Sequence, residues 1–341
     1  MKMNKAGKNV LLDYVRAIAC ILIVLYHYTQ RYNELFQNSI NWNFRVPWGY
    51  MAVATFFMLS GYLAVIKDES NTKLWKYVKR RLIRIYPAYW VAIPLTFAVT
   101  YFWLPARSIS IEAALFNFTM LESFVGVDLV DGAYWTLANE LIFYCFIAFV
   151  VVVLKKRDEL PTFLFVWVLF LIVFHFVARD TLIFAAIGKI IAKKYGHMFA
   201  VGASLFFLIN NFGTRKDKII SSILLIFAIC YQKLTFGLGY TLYFLTSLVI
   251  ISTCILVSEK GIVLHKTVRQ ILHPLETIAA ISYPLYLLHQ NIGYAVMENL
   301  RPVITDSEWI IILPCILVGV IAYLIHRFVE IPVTNRYRPF G

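Results

Sequence analysis

Long apolar runs alternate with short polar connections along almost the whole chain. Each run approaches the roughly 20 residues that an α-helix needs to cross the hydrocarbon core of a bilayer. The pattern predicts an all-α polytopic membrane protein, a bundle of about ten transmembrane helices forming a single membrane-embedded domain over residues 1–341. The predicted spans lie near residues 10–29, 48–66, 86–104, 134–154, 160–177, 196–211, 218–232, 237–257, 276–296 and 309–329.

Two apolar segments of the chain allow more than one interpretation. Residues 181–194 are apolar but short for a span, so the sequence allows a re-entrant helix, an interfacial helix or part of a shifted sixth span. The first apolar run lacks a small-residue cleavage site after it, which predicts a retained helix rather than a removed signal peptide.

Composition supports the membrane assignment and argues against other classes. Hydrophobic residues make up 60% of the chain and charged residues only 15%, whereas soluble domains carry about 25% charged residues. The net charge of +13 would suggest nucleic acid in a soluble protein, but here it is assigned to membrane topology and no nucleic-acid partner is expected. The five cysteines include no CxxC pair, so neither a disulfide framework nor a metal site is expected.

The distribution of basic residues predicts the orientation. Most of the 32 Lys and Arg residues fall on the side that carries both termini, notably in the stretch 67–84 and the loop 258–275. Cytoplasmic loops are enriched in these residues, so both termini are predicted to be cytosolic, and the loops 30–47, 105–133 and 297–308 extracytoplasmic. We expect a multi-pass protein of the cell membrane, with a bacterial plasma membrane as the favoured setting.

The first predicted span contains three polar residues that are candidates for function, because polar groups are costly inside a bilayer. Asp13 and Arg16 are spaced for an ion pair along one helix face. His27 lies eleven residues after Arg16 and returns to within roughly 20° of the same face at about 100° per residue. The structural alternatives are an ion pair that begins the helix and a histidine at the membrane interface.

A basic stretch precedes the third predicted span. Arg81 and Arg84 are three residues apart, and Arg80 and Arg84 are four apart, so each pair shares a helix face. Guanidinium groups bind phosphate oxygens bidentately, which predicts a polyphosphate site at the cytosolic face. A positive-inside anchor and a contact for anionic lipid headgroups are the alternatives.

Two further polar sets lie in later spans. Glu140 lies inside the outer end of the fourth span, where a carboxylate needs a partner or takes part in proton transfer, unless its role is structural. Ser282, Tyr286 and His289 can share one face of the ninth span, as a substrate lining or as helix-packing contacts.

The predicted depths of these residues in the bilayer support one common hypothesis. His27, Glu140 and His289 fall in the outer half and the arginines at the inner face. This separation suits a donor whose charged part stays cytosolic while its reactive end enters the bundle. A histidine can deprotonate a hydroxyl that attacks a thioester, and Glu140 could orient that imidazole as the third group of a triad does.

Six sequence motifs, taken together and in order, carry a family resemblance. They are Leu-Asp-Tyr-Val-Arg-Ala-Ile-Ala at 12–19 followed by His27, Phe-Phe-Met-Leu-Ser-Gly-Tyr-Leu at 56–63, Arg-Arg-Leu-Ile-Arg-Ile-Tyr-Pro-Ala-Tyr-Trp at 80–90, Trp-Thr-Leu-Ala-Asn-Glu-Leu-Ile-Phe-Tyr at 135–144, Ile-Ser-Tyr-Pro-Leu-Tyr-Leu-Leu-His at 281–289 and Phe-Val-Glu-Ile-Pro at 328–332. The set resembles the acyltransferase 3 family of integral membrane O-acyltransferases and covers almost the whole chain.

The resemblance implies ten core helices and acylation of extracytoplasmic glycans or lipid-linked sugars, with acyl-CoA, by default acetyl-CoA, as co-substrate and no metal. It implies a catalytic role for His27, and it gives acyl-CoA contacts to Arg80, Arg81 and Arg84. Glu140 and Glu330 match further family positions. The predicted site therefore has His27 and Glu140 as catalytic residues, these arginines and Arg16 towards the donor, and a substrate lining of Asp13, Ser282, Tyr286, His289 and Glu330.

The predicted activity is acyl transfer to a hydroxyl, either directly or through an acyl-enzyme. The main rival is a transporter or exporter of polysaccharide or lipid-linked sugar, which should show an inverted repeat with broken helices at matching positions. No such symmetry is visible in the sequence. A membrane scaffold would leave the polar residues within the spans without a role. Acyl-CoA consumption that depends on His27 separates these hypotheses.

Overall fold

The computed structural model describes residues 9–36, 45–67, 69–178, 181–210, 212–261, 265–304 and 309–337. Within these ranges the fold is helical, and nine helices are long and apolar enough to cross a membrane. The predicted class of polytopic helical protein is confirmed for the described residues. The cytosolic placement of both termini stays a prediction, and residues 1–8 and 338–341 lie outside the described ranges.

Three π-helical turns extend longer helices in the described chain. They follow α1, α7 and α14 and comprise His27–Arg31, Ala148–Val153 and His326–Glu330. Such turns occur frequently at functional sites, and two of them contain the candidate residues His27 and Glu330. The α-helices are α1 (Val10–Tyr26), α2 (Tyr32–Phe36), α3 (Ala52–Ile66), α4 (Leu74–Trp103), α5 (Ile111–Asn117), α6 (Glu122–Val125), α7 (Trp135–Ile147), α8 (Leu160–Val177), α9 (Leu182–Ile190), α10 (Gly196–Ile209), α11 (Arg215–Phe236), α12 (Leu238–Glu259), α13 (Lys266–Leu300), α14 (Trp309–Ile325) and α15 (Ile331–Tyr337).

Two of the predicted helix starts are wrong, and one span is shorter than a typical membrane helix. The arginine stretch lies on a helix instead of before one, because α4 begins at Leu74 and not near residue 86. Hydropathy detects only the apolar part of such a helix, although Arg and Lys are themselves good helix formers. The ninth span likewise begins earlier, at Lys266. The sixth is the 14-residue α10, which is shorter than the other spans and almost wholly buried.

The ambiguous segment 181–194 forms α9, whose nine residues extend only about 14 Å and therefore do not cross a bilayer. Its apolar side chains are largely exposed at the surface of the bundle. The predicted loops 30–47 and 297–308 fall partly outside the described residues, at 37–44 and 305–308.

Helices α1 and α13 run in the same direction along each other. The contacts follow in matching order from Tyr14 with Glu276, through Cys20 with the Ser282 carbonyl, to Tyr28 with the His289 carbonyl. Helix α4 runs parallel to them, since Tyr283 bonds to the Ile85 carbonyl and Asn299 to the Trp103 carbonyl. We call the side where these helices begin the near face and the side where they end the far face.

Two glycines allow α3 and α10 to approach each other closely. A Cβ atom on Gly202 would lie 1.9 Å from the carbonyl oxygen of Met58, and one on Gly61 would lie 2.2 Å from that of Phe199. Small residues at crossings are a common means of packing helices in membranes. This contact fixes the position of α3, which carries Ser60 and much of the apolar lining of the cavity described below.

Replacing Gly202 with valine should destabilise the fold, because the added carbon meets main-chain atoms of α3 that cannot rotate away. Overpacking of this kind costs about 1–3 kcal/mol or more. Thermal unfolding of the detergent-solubilised protein measures the effect as a lower melting temperature. Gly319→Val is the control, since a Cβ atom there would meet no neighbour within 4 Å. Equal melting temperatures for the two variants would contradict the packing argument.

Candidate active site

Two histidines from opposite ends of the chain meet near the far face. Nε2 of His289 lies 3.1 Å from Nδ1 of His27. Nδ1 of His27 is also 2.9 Å from the Ile23 carbonyl oxygen, and Nδ1 of His289 is 2.7 Å from the Tyr286 carbonyl oxygen. Because a carbonyl oxygen only accepts hydrogen bonds, both Nδ1 atoms carry protons.

These partners assign the role of each imidazole nitrogen. In the neutral pair, the single Nδ1–H of His27 is shared between two acceptors, the Ile23 carbonyl oxygen and Nε2 of His289, so Nε2 of His27 keeps a free lone pair. An imidazole with one nitrogen anchored and the other unprotonated has the form that a general base or nucleophile needs. His289 thus orients His27, although the sequence analysis places it only in a substrate lining.

Glu140 does not take the orienting position that the sequence analysis gives it. It accepts hydrogen bonds from the hydroxyls of Tyr144, at 2.6 Å, and Ser60, at 3.2 Å. The reason is the packing of the helices: α1 lies directly along α13, whereas Arg16 of α1 and Glu140 of α7 line a common open space. Depth along each span is readable from the sequence, but the neighbour of each span is not.

A cavity of about 230 Å³ gathers most of the other candidates. Its remaining lining is mainly apolar and comes largely from α3, including Phe56, Leu59 and Leu63. A small space with an apolar wall and a few convergent polar groups is the usual form of a ligand site. The predicted site residues that border it are Arg16, Arg84, Glu140, Ser282, Tyr286 and Glu330.

The charges around this cavity offset one another. Arg16 and Arg84 share it with the carboxylates of Glu140 and Glu330, and Arg16 also forms an ion pair of 3.1 Å with Asp13. Arg84 is surrounded by protein, yet its surface stays accessible because it borders the open space. The nearness of these opposite charges helps the side chains to be tolerated at membrane depth.

Tyr286 connects the cavity to the histidine pair. Its hydroxyl donates to the Ala133 carbonyl at 3.1 Å and accepts from Thr136 at 2.9 Å. Its ring borders the cavity on one side and lies 5.4 Å from the His289 ring, centroid to centroid. Ser282 also borders the cavity, but its hydroxyl donates to the Ala279 carbonyl of its own helix. The polar cavity and the histidine pair are therefore neighbours, with Tyr286 of α13 between them.

Arg80 and Arg81 lie apart from the cavity. Arg80 forms an ion pair with the buried Glu69, and Arg81 stacks over the ring of Tyr144, with 4.5 Å between the guanidinium carbon and the ring centroid. Of the three arginines on α4, Arg84 is the one in the cavity lining. The carboxylate partner at residue 69 has no counterpart in the sequence analysis, because it lies in a polar connection that shows no pattern.

Tyr28 and Gly293 position His289 and are absent from the predicted site. The Tyr28 hydroxyl donates to the His289 carbonyl at 2.8 Å. A Cβ atom on Gly293 would lie 2.1 Å from that hydroxyl, so a side chain there would displace the tyrosine. A glycine one turn after a candidate histidine is the signal in the sequence that points to this contact.

A polar connection ties α7 to α13 just beyond the histidines. Asp131 accepts from the backbone N–H groups of Asn291 and Ala133, each at 2.8 Å, and the Asn291 side chain donates to the Val130 carbonyl at 2.8 Å. Burial raises the pKa of Asp131 to about 6, against the opposing effect of these donors. The link fixes the start of α7, and with it Thr136 and Glu140, relative to α13.

A second buried carboxyl lies in the same connection. Glu122 is fully buried and accepts from the Tyr89 hydroxyl at 3.3 Å. Burial raises its pKa from the ordinary 4.5 to about 7.

Both the family model and the curated relatives that match this chain are acyltransferases. A family model described as an acyltransferase domain matches residues 9–339. The chain is similar to the O-acetyltransferase OatA of Staphylococcus aureus strains NCTC 8325 / PS 47, COL and MRSA252, at 26% identity over 95% of this chain in each case. The chain spans 57% of the length of these curated relatives. No solved structure matches.

The free energy of unfolding should fall as pH rises towards neutrality. The folded state holds a proton on Glu122 that the unfolded chain loses near pH 4.5. This contribution is therefore complete below the ordinary pKa and is lost as pH rises through about 7. The melting temperature of the protein in detergent should decrease as pH rises from about 5 to about 8. In Glu122→Gln, the melting temperature should depend less steeply on pH.

Glu112→Gln provides the matched control, because Glu112 is fully exposed and the pKa of its carboxyl is lowered, mainly by a backbone hydrogen bond. It ionises below the measured range, so the variant should keep the wild-type slope. A Glu122→Gln slope as steep as that of the wild type would show that this carboxyl does not titrate there.

Proposed function

This chain belongs to the acyltransferase 3 family, and from that premise we propose that it is a membrane O-acyltransferase. It moves an acyl group from cytosolic acyl-CoA to a hydroxyl of an extracytoplasmic glycan or lipid-linked sugar. The relatives named as O-acetyltransferases support acetyl as the group. The observation that carries the proposal is the His27–His289 pair beside a polar cavity that crosses towards the near face.

The charge pattern of the cavity suggests how the donor lies in it. Because two arginines already share the space with two glutamates, several phosphate charges there would leave an excess of negative charge in a medium of low dielectric constant. The neutral, amide-containing pantetheine arm fits this space better. The nucleotide phosphates would then lie nearer the near face, where Arg80 and Arg81 precede Arg84 on α4.

Direct transfer uses the free nitrogen of His27 as a base. Nε2 takes the proton of the acceptor hydroxyl while its oxygen attacks the thioester carbonyl. The carbon–oxygen bond forms, the carbon–sulfur bond breaks, and the imidazolium returns the proton to the leaving thiolate. His289 stabilises that imidazolium by accepting the Nδ1–H bond. The same Nε2 would be the nucleophile in a route through an acyl-enzyme.

His27→Ala should abolish transfer of radiolabelled acetyl from acetyl-CoA to a cell-surface glycan, measured in membranes at matched expression. His289→Ala should lower the rate by about 100-fold to about 10⁴-fold, as when a group that orients a catalytic imidazole is removed. The binding of acetyl-CoA should stay near the wild-type value in both variants.

His273→Ala is the control for these histidines, because His273 lies exposed on the same helix as His289. Full activity in His27→Ala would refute the catalytic assignment. Absence of both CoA binding and transfer in the wild type would favour the transporter.

Arg84→Ala should weaken the donor side of the reaction. Loss of a charge-assisted hydrogen bond should raise the KM for acetyl-CoA by about 10-fold to 100-fold. Arg84→Lys keeps the charge against Glu140 and Glu330, and it should restore folding but only part of the affinity. Arg215→Ala, at an exposed position at the start of α11, should leave the KM unchanged. An unchanged KM in Arg84→Ala would place the donor elsewhere.

A further inference from the structure

A second and larger opening lies at the far face, between α7, the connection before it and α9. It has a volume of about 1190 Å³, and we call it the far cleft. Helix α7 separates it from the cavity: Trp135, Ala138 and Asn139 border the cleft, while Thr136 and Glu140 border the cavity. The two spaces therefore lie on opposite sides of one helix that the Asp131 link holds in place.

The lining of the far cleft is rich in cations. Arg107, Lys189, Lys193 and Lys194 border it, and among its described lining residues Asp128 is the acidic one. Lys193 lies over the Phe174 ring, and no carboxylate of the described chain forms an ion pair with these lysines. Membrane topology does not account for the cluster, because positive residues are depleted from the side that the far face is predicted to occupy.

The remaining polar and aromatic lining fits a carbohydrate. Trp135 and Tyr195 present aromatic rings to the cleft, and Asn139, Ser108 and Asp128 present hydrogen-bonding groups. Tyrosine and tryptophan combine an apolar face with a polar handle, and amide, hydroxyl and carboxylate groups can pair with sugar hydroxyls. The Asp128 carboxylate can accept hydrogen bonds from sugar hydroxyls, while the four cations of the lining outnumber it.

A thin aromatic layer separates the far cleft from the histidine pair. The Tyr195 hydroxyl is 2.5 Å from that of Tyr50. The Tyr50 ring lies 5.8 Å from that of Tyr26, which in turn is 5.1 Å from the His27 ring. A ligand hydroxyl that passes this tyrosine pair would approach the His27 ring.

We propose that the far cleft is the acceptor subsite and that it selects a glycan bearing anionic groups, either carboxylates or phosphodiesters. Arg107 and the three lysines bind the anionic groups, while the aromatic residues Trp135 and Tyr195 contact a sugar ring. The inference rests on the proposed function, because an acceptor is needed only if acyl transfer takes place.

The test measures equilibrium binding, which does not depend on turnover. The protein is placed in nanodiscs of zwitterionic lipid and titrated with three fluorescent oligosaccharides: a polyuronate, a polyol phosphate and a neutral glucan. The charged probes, or one of them, should bind about tenfold tighter than the neutral one, and added salt should reduce the difference. Which charged probe binds identifies the carboxylate or the phosphodiester as the recognised group.

The triple variant Lys189→Gln, Lys193→Gln, Lys194→Gln should lose this preference while binding acetyl-CoA as the wild type does. The matched control is Lys216→Gln, Lys218→Gln on α11, outside both spaces. Equal binding of charged and neutral probes, or an undiminished preference in the triple variant, would overturn the proposal. Binding of phosphatidylglycerol, added to the nanodiscs, without binding of any of the three oligosaccharides would also overturn the proposal.

The outcomes separate the two proposals. Loss of acetyl-CoA binding or transfer in the wild type counts against the acyltransferase function, whatever the oligosaccharides do. Acetyl transfer without any preference for charged glycans leaves that function in place and removes only the anionic acceptor.

Discussion

The hydrogen bond between His27 and His289 depends on the close parallel packing of α1 against α13. That packing is made possible by Gly293, which leaves room for Tyr28 to reach the His289 carbonyl. The carbonyl of residue 286 then holds Nδ1 of His289, and Nε2 of His289 holds His27. A chain of fixed donors and acceptors thus determines which nitrogen of His27 is left unprotonated, and among the described residues no carboxylate takes part in it.

The polar interior follows a second constraint, the need to offset charge away from water. Arg16 and Arg84 share the cavity with Glu140 and Glu330, and Asp13 adds a further partner for Arg16. The same pairing limits what the cavity can accept, since a ligand of high charge would disturb it. The four side chains therefore influence both the stability of the fold and the charge of any ligand that the cavity can take.

Much of the architecture is readable from the sequence because apolar length and polar depth have direct physical meaning. The spans follow from hydropathy. The shared cavity of Arg84 and Glu140 does not, because the sequence places Glu140 in the outer half of the bilayer and the arginines at the inner face. Hydropathy and helical spacing do not show which helices are neighbours. The side chain next to His27 is therefore that of His289 and not, as the sequence had suggested, that of Glu140.

Structural features that leave no periodic pattern in the sequence also could not be predicted. The basic first half of α4 is helical although it is not apolar. The link from Asp131 to Asn291 joins an irregular connection to a helix 160 residues later in the chain. Contacts of this kind arise from tertiary packing, which single-chain patterns do not record.

The aromatic layer formed by Tyr26, Tyr50 and Tyr195 has an electrical consequence. Moving one elementary charge across a membrane potential of 100 mV involves about 2.3 kcal/mol of work, and a nucleotide carrying several phosphates would multiply that amount. In the proposed reaction, the acceptor hydroxyl that passes this layer to reach His27 and the ester that leaves through it are both neutral, so neither passage involves such work. A donor that stays on one side while only its acyl end crosses would make the reaction insensitive to the voltage of the membrane in which the protein resides.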